Sequence, residues 1–150
     1  MANFDDLEFI RLTRPEQFSL IPTELFEQIK SSSYKVNRLY QFGVVLLASP
    51  FTYLFVLADR KTHKIKGVLW SEVNPLSEKM TVFIFSLSRE YQQKDGLFTK
   101  GSKPIEKTVE FLRKIQESIG ITGKIEMGTQ KPKAYERAGW QRSKKIIMEI

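Results

Sequence analysis

The polar loop Ser88–Gly101 is the stretch of this sequence whose residue types are best suited to binding an anion. It follows the apolar stretch Met80–Leu87 and precedes an amphipathic pattern at Ser102–Gly120. The N–H groups in the first turn of a helix have no partners within the helix, and the helix dipole attracts negative charge there. Lys100-Gly101-Ser102-Lys103 adds two ammonium groups at the predicted helix entrance. The arrangement predicts a phosphate site, although these four residues also suit an ordinary helix entry.

Two regular elements are expected to position this loop. Met80–Leu87 is apolar without alternation, which is typical of a central strand covered on both faces. The following helix carries apolar residues at a spacing that forms one stripe at 3.6 residues per turn. Pro104 suits its first turn and Gly120 suits its end. The stripe consists of Ile105, Val109, Leu112, Ile115 and Ile119.

The rest of the chain alternates strand and helix patterns. Residues 51–88 predict an antiparallel meander of three strands with short turns, and Tyr34–Ala48 fits a helix or a strand equally well. A helix is expected after Thr23 and a short one at Lys131–Ala138, with Gly139 as its end. This mixture predicts an α+β layered domain. Besides Met80–Leu87, the predicted strands are Leu7–Leu12, the meander strands Phe51–Ala58 and Lys64–Val73, and the later strands Lys124–Thr129 and Gln141–Ile150.

Composition restricts the classes of site. The 150 residues are 41% hydrophobic and 27% charged, so we expect one domain over residues 1–150. The absence of cysteine excludes disulfides and thiolate metal sites, and a single histidine excludes a histidine-rich metal site. The acidic beginning, MANFDDLEF, has no signal-peptide pattern, and no apolar run is long enough for a membrane span. We therefore expect a cytoplasmic protein.

The net charge of +7 is concentrated in the second half of the chain. Residues 1–88 carry 10 Lys and Arg against 9 Asp and Glu, whereas residues 89–150 carry 14 against 8. A phosphorylated cofactor or a polyanion would be attracted to such a surface. A solvated basic surface without a ligand explains the same charge, and both interpretations stay open.

Three segments of the sequence resemble the GCN5-related N-acetyltransferase (GNAT) family. Lys133–Ile150 (KAYERAGWQRSKKIIMEI) is similar to the family's Y-x-K-x-G-F segment, with Tyr135, Gly139 and Trp140 at three of its positions and Arg137 at the Lys position. His63–Leu69 (HKIKGVL) is similar to the family strand in which a glycine follows I-V.

The third segment is Leu87–Leu97, which resembles the family's pyrophosphate loop V-x-P-x-Y-[RQ]-x-x-G-x-[GA]. It also departs from that motif, because the two glycine positions hold Asp95 and Leu97, and Gly96 is displaced by one. Glycines there let backbone N–H groups approach a diphosphate, whereas a carboxylate repels it. The loop is also some residues longer than the family's.

The resemblance implies a GNAT-like acyl-CoA N-acyltransferase fold, with a central, mostly antiparallel sheet flanked by helices. It implies acetyl-CoA as co-substrate, a primary amine as acceptor and direct transfer without a covalent intermediate. It assigns protonation of the leaving thiolate to Tyr135, which could instead be an aromatic residue packed between helix and sheet. The cofactor-binding residues that it implies are Leu87, Ser88, Gln92, Gln93, Lys94 and Gly96.

Acetyl transfer to an amine also needs a base for the ammonium proton. Glu72 shares a strand face with Val68 and Trp70, so partial burial is expected to raise the pKa of its carboxyl group. Glu126 is the second candidate, and the single His63 fits a turn residue better than a base. Phe98 and Trp140 are the aromatic residues placed to contact a ligand.

Two other functions are consistent with the residues. The departures at Asp95 and Leu97 favour a catalytically silent GNAT-like domain that serves as a structural or protein-interaction module. The basic second half also admits a nucleic-acid partner, but acidic residues are scattered among the basic ones and no nucleic-acid motif appears.

Overall fold

The computed structural model describes residues 3–28, 36–91, 103–128, 135–136, 139–144, 146 and 148–150, and all structural statements refer to these. They form one five-stranded sheet in the order β1-β2-β3-β4-β5. The first four strands pair antiparallel, and β5 pairs with β4 in parallel. The strands are β1 Leu7–Leu12, β2 Thr52–Asp59, β3 Ile65–Asn74, β4 Lys79–Leu87 and β5 Ile125–Met127.

In the part of the chain that the structure describes, three named α-helices flank this sheet, and short 3-10 turns connect some of the elements. The helices are α1 Thr23–Glu27, α2 Val36–Leu47 and α3 Lys103–Ile119. The 3-10 turns are Phe4–Asp6, Pro15–Leu20 and Arg89–Tyr91. The predicted α+β class with a mostly antiparallel central sheet is therefore confirmed. Within these described residues, no helix has the length and apolarity that a membrane span requires.

The sheet separates two hydrophobic clusters, because neighbouring residues of a strand point to opposite faces. Phe55 and Leu57 of β2 lie in the cluster that contains Ile105 and Leu112 of α3. The alternate β2 residues lie in the other cluster, together with buried residues of α1 and α2. The long helix α3 thus covers one face, and the N-terminal helices cover the other.

Helix α3 follows its predicted stripe. Ile105 and Leu112 are buried, and Val109 and Ile115 pack against the same cluster, whereas Ile119 at the helix end is 38% exposed. The helix ends in a Schellman motif, in which the N–H of Gly120 donates to Glu117 and that of Ile121 donates to Gln116. Gly120 has a φ of +75°, the left-handed conformation that the motif requires. The predicted end of this helix at Gly120 is confirmed and Pro104 lies in its first turn as predicted, while Ser102, the predicted first residue, lies outside the described residues.

The ambiguous stretch at residues 34–48 contains the helix α2. Leu39, Gly43 and Leu47 are buried at a spacing of four residues, so a helical period matches the burial and a strand period does not. Gly43 lies directly against Phe18, since a Cβ there would be 2.5 Å from the Phe18 ring. Gly43 had suggested a strand in the sequence, but its role is to let helix α2 pack closely against Phe18.

The predicted final strand Gln141–Ile150 is wrong for the residues that the structure describes. None of them joins the sheet, and Ile146, Met148 and Ile150 are exposed. The prediction rested on β-propensity, which reflects packing on a half-buried sheet surface rather than an intrinsic preference of the backbone. The strand Lys124–Thr129 is shorter than predicted, at Ile125–Met127.

Candidate active site

Strands β4 and β5 stay together over three residue pairs only. Met80, Thr81 and Val82 pair with Ile125–Met127, and β4 then continues for five residues to Leu87. Along Phe83–Leu87 the described part of β5 no longer covers this edge of β4. A cleft can therefore reach the backbone of β4 from the β5 side.

A β-bulge lies in β4 where this cleft begins. Trp70 of β3 pairs with Ile84, and Ser71 pairs with Val82, so Phe83 has no directly opposite residue on β3. An extra residue on one strand changes which residues direct their N–H groups to each side of that strand. The bulge therefore redirects the backbone of β4 beside the cleft.

The hydrogen bonds on either side of the bulge show this redirection. Before it, the N–H of Met80 donates toward β5, to the carbonyl oxygen of Lys124 at 3.0 Å. After it, the N–H of Ser88 donates toward β3, to the carbonyl oxygen of Lys66 at 2.7 Å. Since direction alternates along a strand, the N–H of Phe85 points to the cleft side. A backbone donor is thus directed to the uncovered edge of β4.

An apolar pocket lies between this edge, α3 and the segment around residues 135–140. It is narrow, with room for about one water-sized group. Thr108, Tyr135 and Trp140 are the lining residues that carry a polar group, but only apolar atoms face the pocket. The wall consists of Leu69, Val82, Phe85, Ile105, Thr108, Val109, Leu112, Met127, Tyr135 and Trp140.

Tyr135 is held in this pocket by a helix-ending motif. The N–H of Gly139 donates to Glu136 and that of Trp140 donates to Tyr135, the two hydrogen bonds of a Schellman motif. Gly139 has a φ of +95°, as predicted for a helix end. Such motifs bring together the first and last of these residues, and the rings of Tyr135 and Trp140 meet edge to face at 5.6 Å.

The Tyr135 side chain is 8% exposed, and its burial raises the pKa of the phenol well above its ordinary value of 10.0. Desolvation disfavours the phenolate, so the hydroxyl remains protonated throughout the physiological pH range. A neutral phenol beside a pocket can donate a hydrogen bond or a proton to a group inside it.

The beginning of the predicted phosphate loop is fixed to the sheet. The hydroxyl of Tyr91 donates to Oδ2 of Asp59 at 3.3 Å, across 32 residues of sequence. Hydrogen bonds from Thr62 and Lys61 lower the pKa of Asp59, so this acceptor stays charged. Tyr91, the aromatic position of the loop motif, is itself buried. The chain therefore leaves β4 in a defined direction.

The structure describes only some of the predicted cofactor-binding residues. The Leu87 side chain is buried in the cluster beneath α3. The N–H and carbonyl of Ser88 are both used within the fold, by Lys66 and Tyr91. Gln92, Gln93, Lys94 and Gly96 lie outside the described residues, as do Asp95, Leu97, Phe98 and residues 100–102.

Neither predicted base lines the pocket. Glu72 is exposed near the end of β3, so the expected partial burial is wrong. Val68 and Trp70, on the same face of β3 as Glu72, are covered by the cluster that contains α1 and α2, but this cover does not reach Glu72. Glu126 forms an ion pair with Lys79 at 3.2 Å. His63 is an exposed turn residue with a φ of 60°, as the sequence predicted.

Thr108 and the backbone of Phe85 are features of the pocket that sequence reasoning missed. Thr108 lies three residues after Ile105 and four before Leu112, so it occupies the apolar face of α3. A hydroxyl among the apolar residues of one helix face can be recognised in the sequence alone. The direction of the Phe85 N–H depends on a bulge, and nothing in the local sequence marks it.

No protein-family model matches the sequence, and a search of curated proteins gives no match. Solved structures, in contrast, match nearly the whole chain. An aminoglycoside acetyltransferase from an uncultured soil metagenomic sample is 17% identical, with 97% of this chain and 95% of that one covered and a TM-score of 0.60. The aminoglycoside N-acetyltransferase AAC(6')-Iy in complex with CoA is 8% identical, with coverage of 96% and 93% and a TM-score of 0.67.

A third match is a GNAT family acetyltransferase from Staphylococcus aureus. It is 13% identical, with 97% of this chain and 98% of that one covered and a TM-score of 0.63. Such similarity shows a shared fold. The chain has the fold of the GNAT acetyltransferases, as the sequence resemblance predicted.

Proposed function

We propose that this protein is an acetyl-CoA-dependent N-acetyltransferase that transfers the acetyl group directly to a primary amine. The observation that carries this proposal is the pocket where β4 and β5 part. Tyr135, whose phenol is buried and neutral, forms part of one wall of that pocket through apolar atoms, and the N–H of Phe85 points to the cleft side of β4. A proton donor and a backbone N–H on one cleft are the two groups that acyl transfer from a thioester requires.

The residues around the pocket fit acetyl-CoA. The apolar wall suits the aliphatic parts of an extended arm, which has to widen the narrow pocket on entry. The N–H groups in the first turn of α3, which begins at Lys103 and offers them no partner within the helix, suit a diphosphate. The fold is shared with an acetyltransferase whose structure contains CoA. We propose that the diphosphate lies against the loop residues that the sequence predicted, Leu87, Ser88, Gln92, Gln93, Lys94 and Gly96.

Acetyl-CoA supplies an acyl group activated as a thioester. The amine nitrogen forms a C–N bond with the carbonyl carbon, and the C–S bond breaks. The Phe85 N–H donates to the carbonyl oxygen, on which negative charge builds, and Tyr135 donates its proton to the leaving thiolate. The proton of the attacking amine passes to water, since no carboxylate of the described residues lines the pocket, and a proton from water restores the Tyr135 phenol. The bonds and protons of the reaction then balance, and no covalent intermediate with the enzyme forms.

A catalytically silent domain is the second candidate. Asp95 and Leu97 replace the glycines of the loop motif, and a carboxylate near the diphosphate weakens its binding. In this case the chain would keep the fold and serve as a structural or protein-interaction module.

Calorimetric titration with acetyl-CoA separates the two candidates. We expect a dissociation constant in the micromolar range, because the proposed site combines diphosphate, arm and thioester contacts. CoA should bind with similar affinity, and adenine alone should bind much more weakly. Absence of binding at millimolar acetyl-CoA would contradict the proposed enzymatic function and favour the structural or protein-interaction module.

A further inference from the structure

The outer edge of β1 faces no other strand in the part of the chain that the structure describes. There β1 is the first strand of the sheet and pairs with β2 alone. The N–H of Arg60 donates to the carbonyl oxygen of Asp6, so the residue directly before β1 directs its backbone toward β2. The N–H of Asp59 in β2 agrees with this alternation, since it donates away from β1, to the β2–β3 turn. The backbone groups of Phe9 and Arg11 are therefore directed to the open edge.

This edge lacks the usual protection against pairing with another chain. Exposed edge strands are commonly blocked by proline, lysine or a β-bulge. β1 contains neither proline nor lysine and keeps one unbroken register with β2. The guanidinium of Arg11 lies over the Tyr53 ring, 4.3 Å from its centre, and is thus turned back toward the sheet. Ile10 adds a large apolar side chain that is 41% exposed.

A second copy of β1 fits this edge in the antiparallel direction. Directly opposite residues of an antiparallel pair lie on the same face, so a twofold axis can place Ile10 opposite Ile10 of the second copy. Phe9 and Arg11 of each copy then lie opposite Arg11 and Phe9 of the other, and each such pair exchanges both backbone hydrogen bonds. The two exposed Ile10 side chains cover each other.

The charges along β1 favour the same arrangement. Asp6 and Glu8 lie at its beginning, whereas Arg14 follows its end. Antiparallel pairing of two copies places the acidic beginning of each strand beside the basic end of the other, while parallel pairing would place like charges together. The Arg14 side chain is 70% exposed, and its contact with Glu16 is long, at 3.8 Å.

We propose that this protein forms a homodimer through the open edge of β1, so that two five-stranded sheets join into one continuous sheet. The opposite edge of the sheet carries the β4–β5 cleft, so both clefts stay accessible in this dimer. The proposal therefore holds whether or not the protein is an enzyme. A six-residue edge is only about 20 Å long, which predicts a small interface and a dissociation constant on the order of 10 μM.

Analytical ultracentrifugation of the full chain tests this dimer. We expect a monomer–dimer equilibrium that Ile10→Lys weakens at least about tenfold, because it places two ammonium groups opposite each other. Leu76→Lys is the matched control, since Leu76 is 96% exposed in the turn between β3 and β4, and it should dimerise as the wild type does. A wild type that remains monomeric at millimolar concentration would overturn the proposal, and so would an Ile10→Lys protein with wild-type affinity.

Hydrogen exchange of single amides, measured by NMR, locates the interface without a variant. The N–H groups of Phe9 and Arg11 should exchange several-fold more slowly above the dissociation constant than below it. The N–H of Ile10, which is directed to β2, is the internal control and should not depend on concentration in this way. A dimer in which Phe9 and Arg11 exchange at the monomer rate would show that another surface is used, and would overturn the proposal.

A charge exchange tests the antiparallel direction. Arg14→Asp should weaken the dimer about threefold, and addition of Asp6→Arg to the same chain should restore it, because the opposite charges again meet. A double variant that dimerises no better than Arg14→Asp alone would contradict the antiparallel arrangement.

Discussion

At the scale of single residues, the Tyr135–Trp140 pair connects sequence to proposed chemistry. One glycine, Gly139, ends the helix in a left-handed conformation, and the resulting hydrogen bonds bring Trp140 onto Tyr135. Packing against Trp140 and the pocket wall buries the phenol, and burial keeps it protonated. The same burial makes the phenol a weaker acid, so packing by itself favours hydrogen-bond donation, and the proton-donor role of Tyr135 remains part of the proposal.

Replacement of Tyr135 by phenylalanine separates the two roles. The ring and its packing remain, while the proton donor is lost, so kcat should fall by about 10²-fold with the Kd for acetyl-CoA unchanged. Steady-state kinetics and calorimetry measure these two quantities. Tyr40→Phe is the matched control, because Tyr40 donates to Ile21 on the opposite face of the sheet. Tyr40→Phe should lower the free energy of unfolding by about 1 kcal/mol and leave kcat unchanged. A wild-type kcat for Tyr135→Phe would show that Tyr135 is not the proton donor.

At the scale of elements, the attachment of β5 to α3 and β4 determines where the pocket opens. The buried Gln116 of α3 donates its side-chain amide to the carbonyl oxygen of Gly123 at 2.8 Å. Gly123 also passes directly beside the backbone of Glu78, which precedes β4. Two contacts thus place the start of β5 beside the start of β4, and the strands separate after three pairs.

Gly123→Ala should disturb this placement. A Cβ there would lie 1.8 Å from the carbonyl oxygen of Glu78, so one backbone segment must move. We expect a loss of more than about 2 kcal/mol in the free energy of unfolding, measured with urea, together with weaker acetyl-CoA binding. Gly128→Ala is the control at the other end of β5, where a Cβ meets none of the described residues within 4 Å. It should change stability by less than about 0.5 kcal/mol; equal stability losses would contradict the packing argument.

At the scale of the whole molecule, the sheet buries phenols on both of its sides. Tyr40 packs against the cluster of α1 and α2, while Tyr91 and Tyr135 lie near α3. Burial raises the pKa of all three, and nearby carboxylates contribute for Tyr40 and Tyr91. The folded protein therefore holds protons that the unfolded chain releases above its ordinary tyrosine pKa of 10.0.

This difference predicts alkaline destabilisation. Below pH 10 both states keep the Tyr135 proton, whereas above it the unfolded state binds fewer protons, so the free energy of unfolding falls as pH rises. Relative to Tyr135→Phe, the wild type should lose up to about 1.4 kcal/mol per pH unit. Urea unfolding between pH 9 and 11 measures this slope. Parallel pH curves for the two proteins would show that Tyr135 is not desolvated in solution.

The sequence by itself determined the features that depend on near neighbours in the chain. The apolar period of α3, the glycine ends at Gly120 and Gly139, and the order of the elements follow from local geometry. Together with the motif resemblance, they were sufficient for the α+β class and the acetyltransferase fold. Tyr135 was singled out by the resemblance of its segment to the family's Y-x-K-x-G-F motif.

Only the tertiary structure decided which residues meet across the sheet. The bulge at Phe83, the exposure of Glu72 and the position outside the sheet of the described residues after Gln141 depend on partners distant in sequence. The pocket itself exists because β5 pairs with β4 for three residues and then ends, which no local period encodes. Strand pairing depends on contacts between residues distant in the sequence. The sequence therefore indicated Tyr135 as a site residue, whereas only the fold determined where the pocket beside it opens.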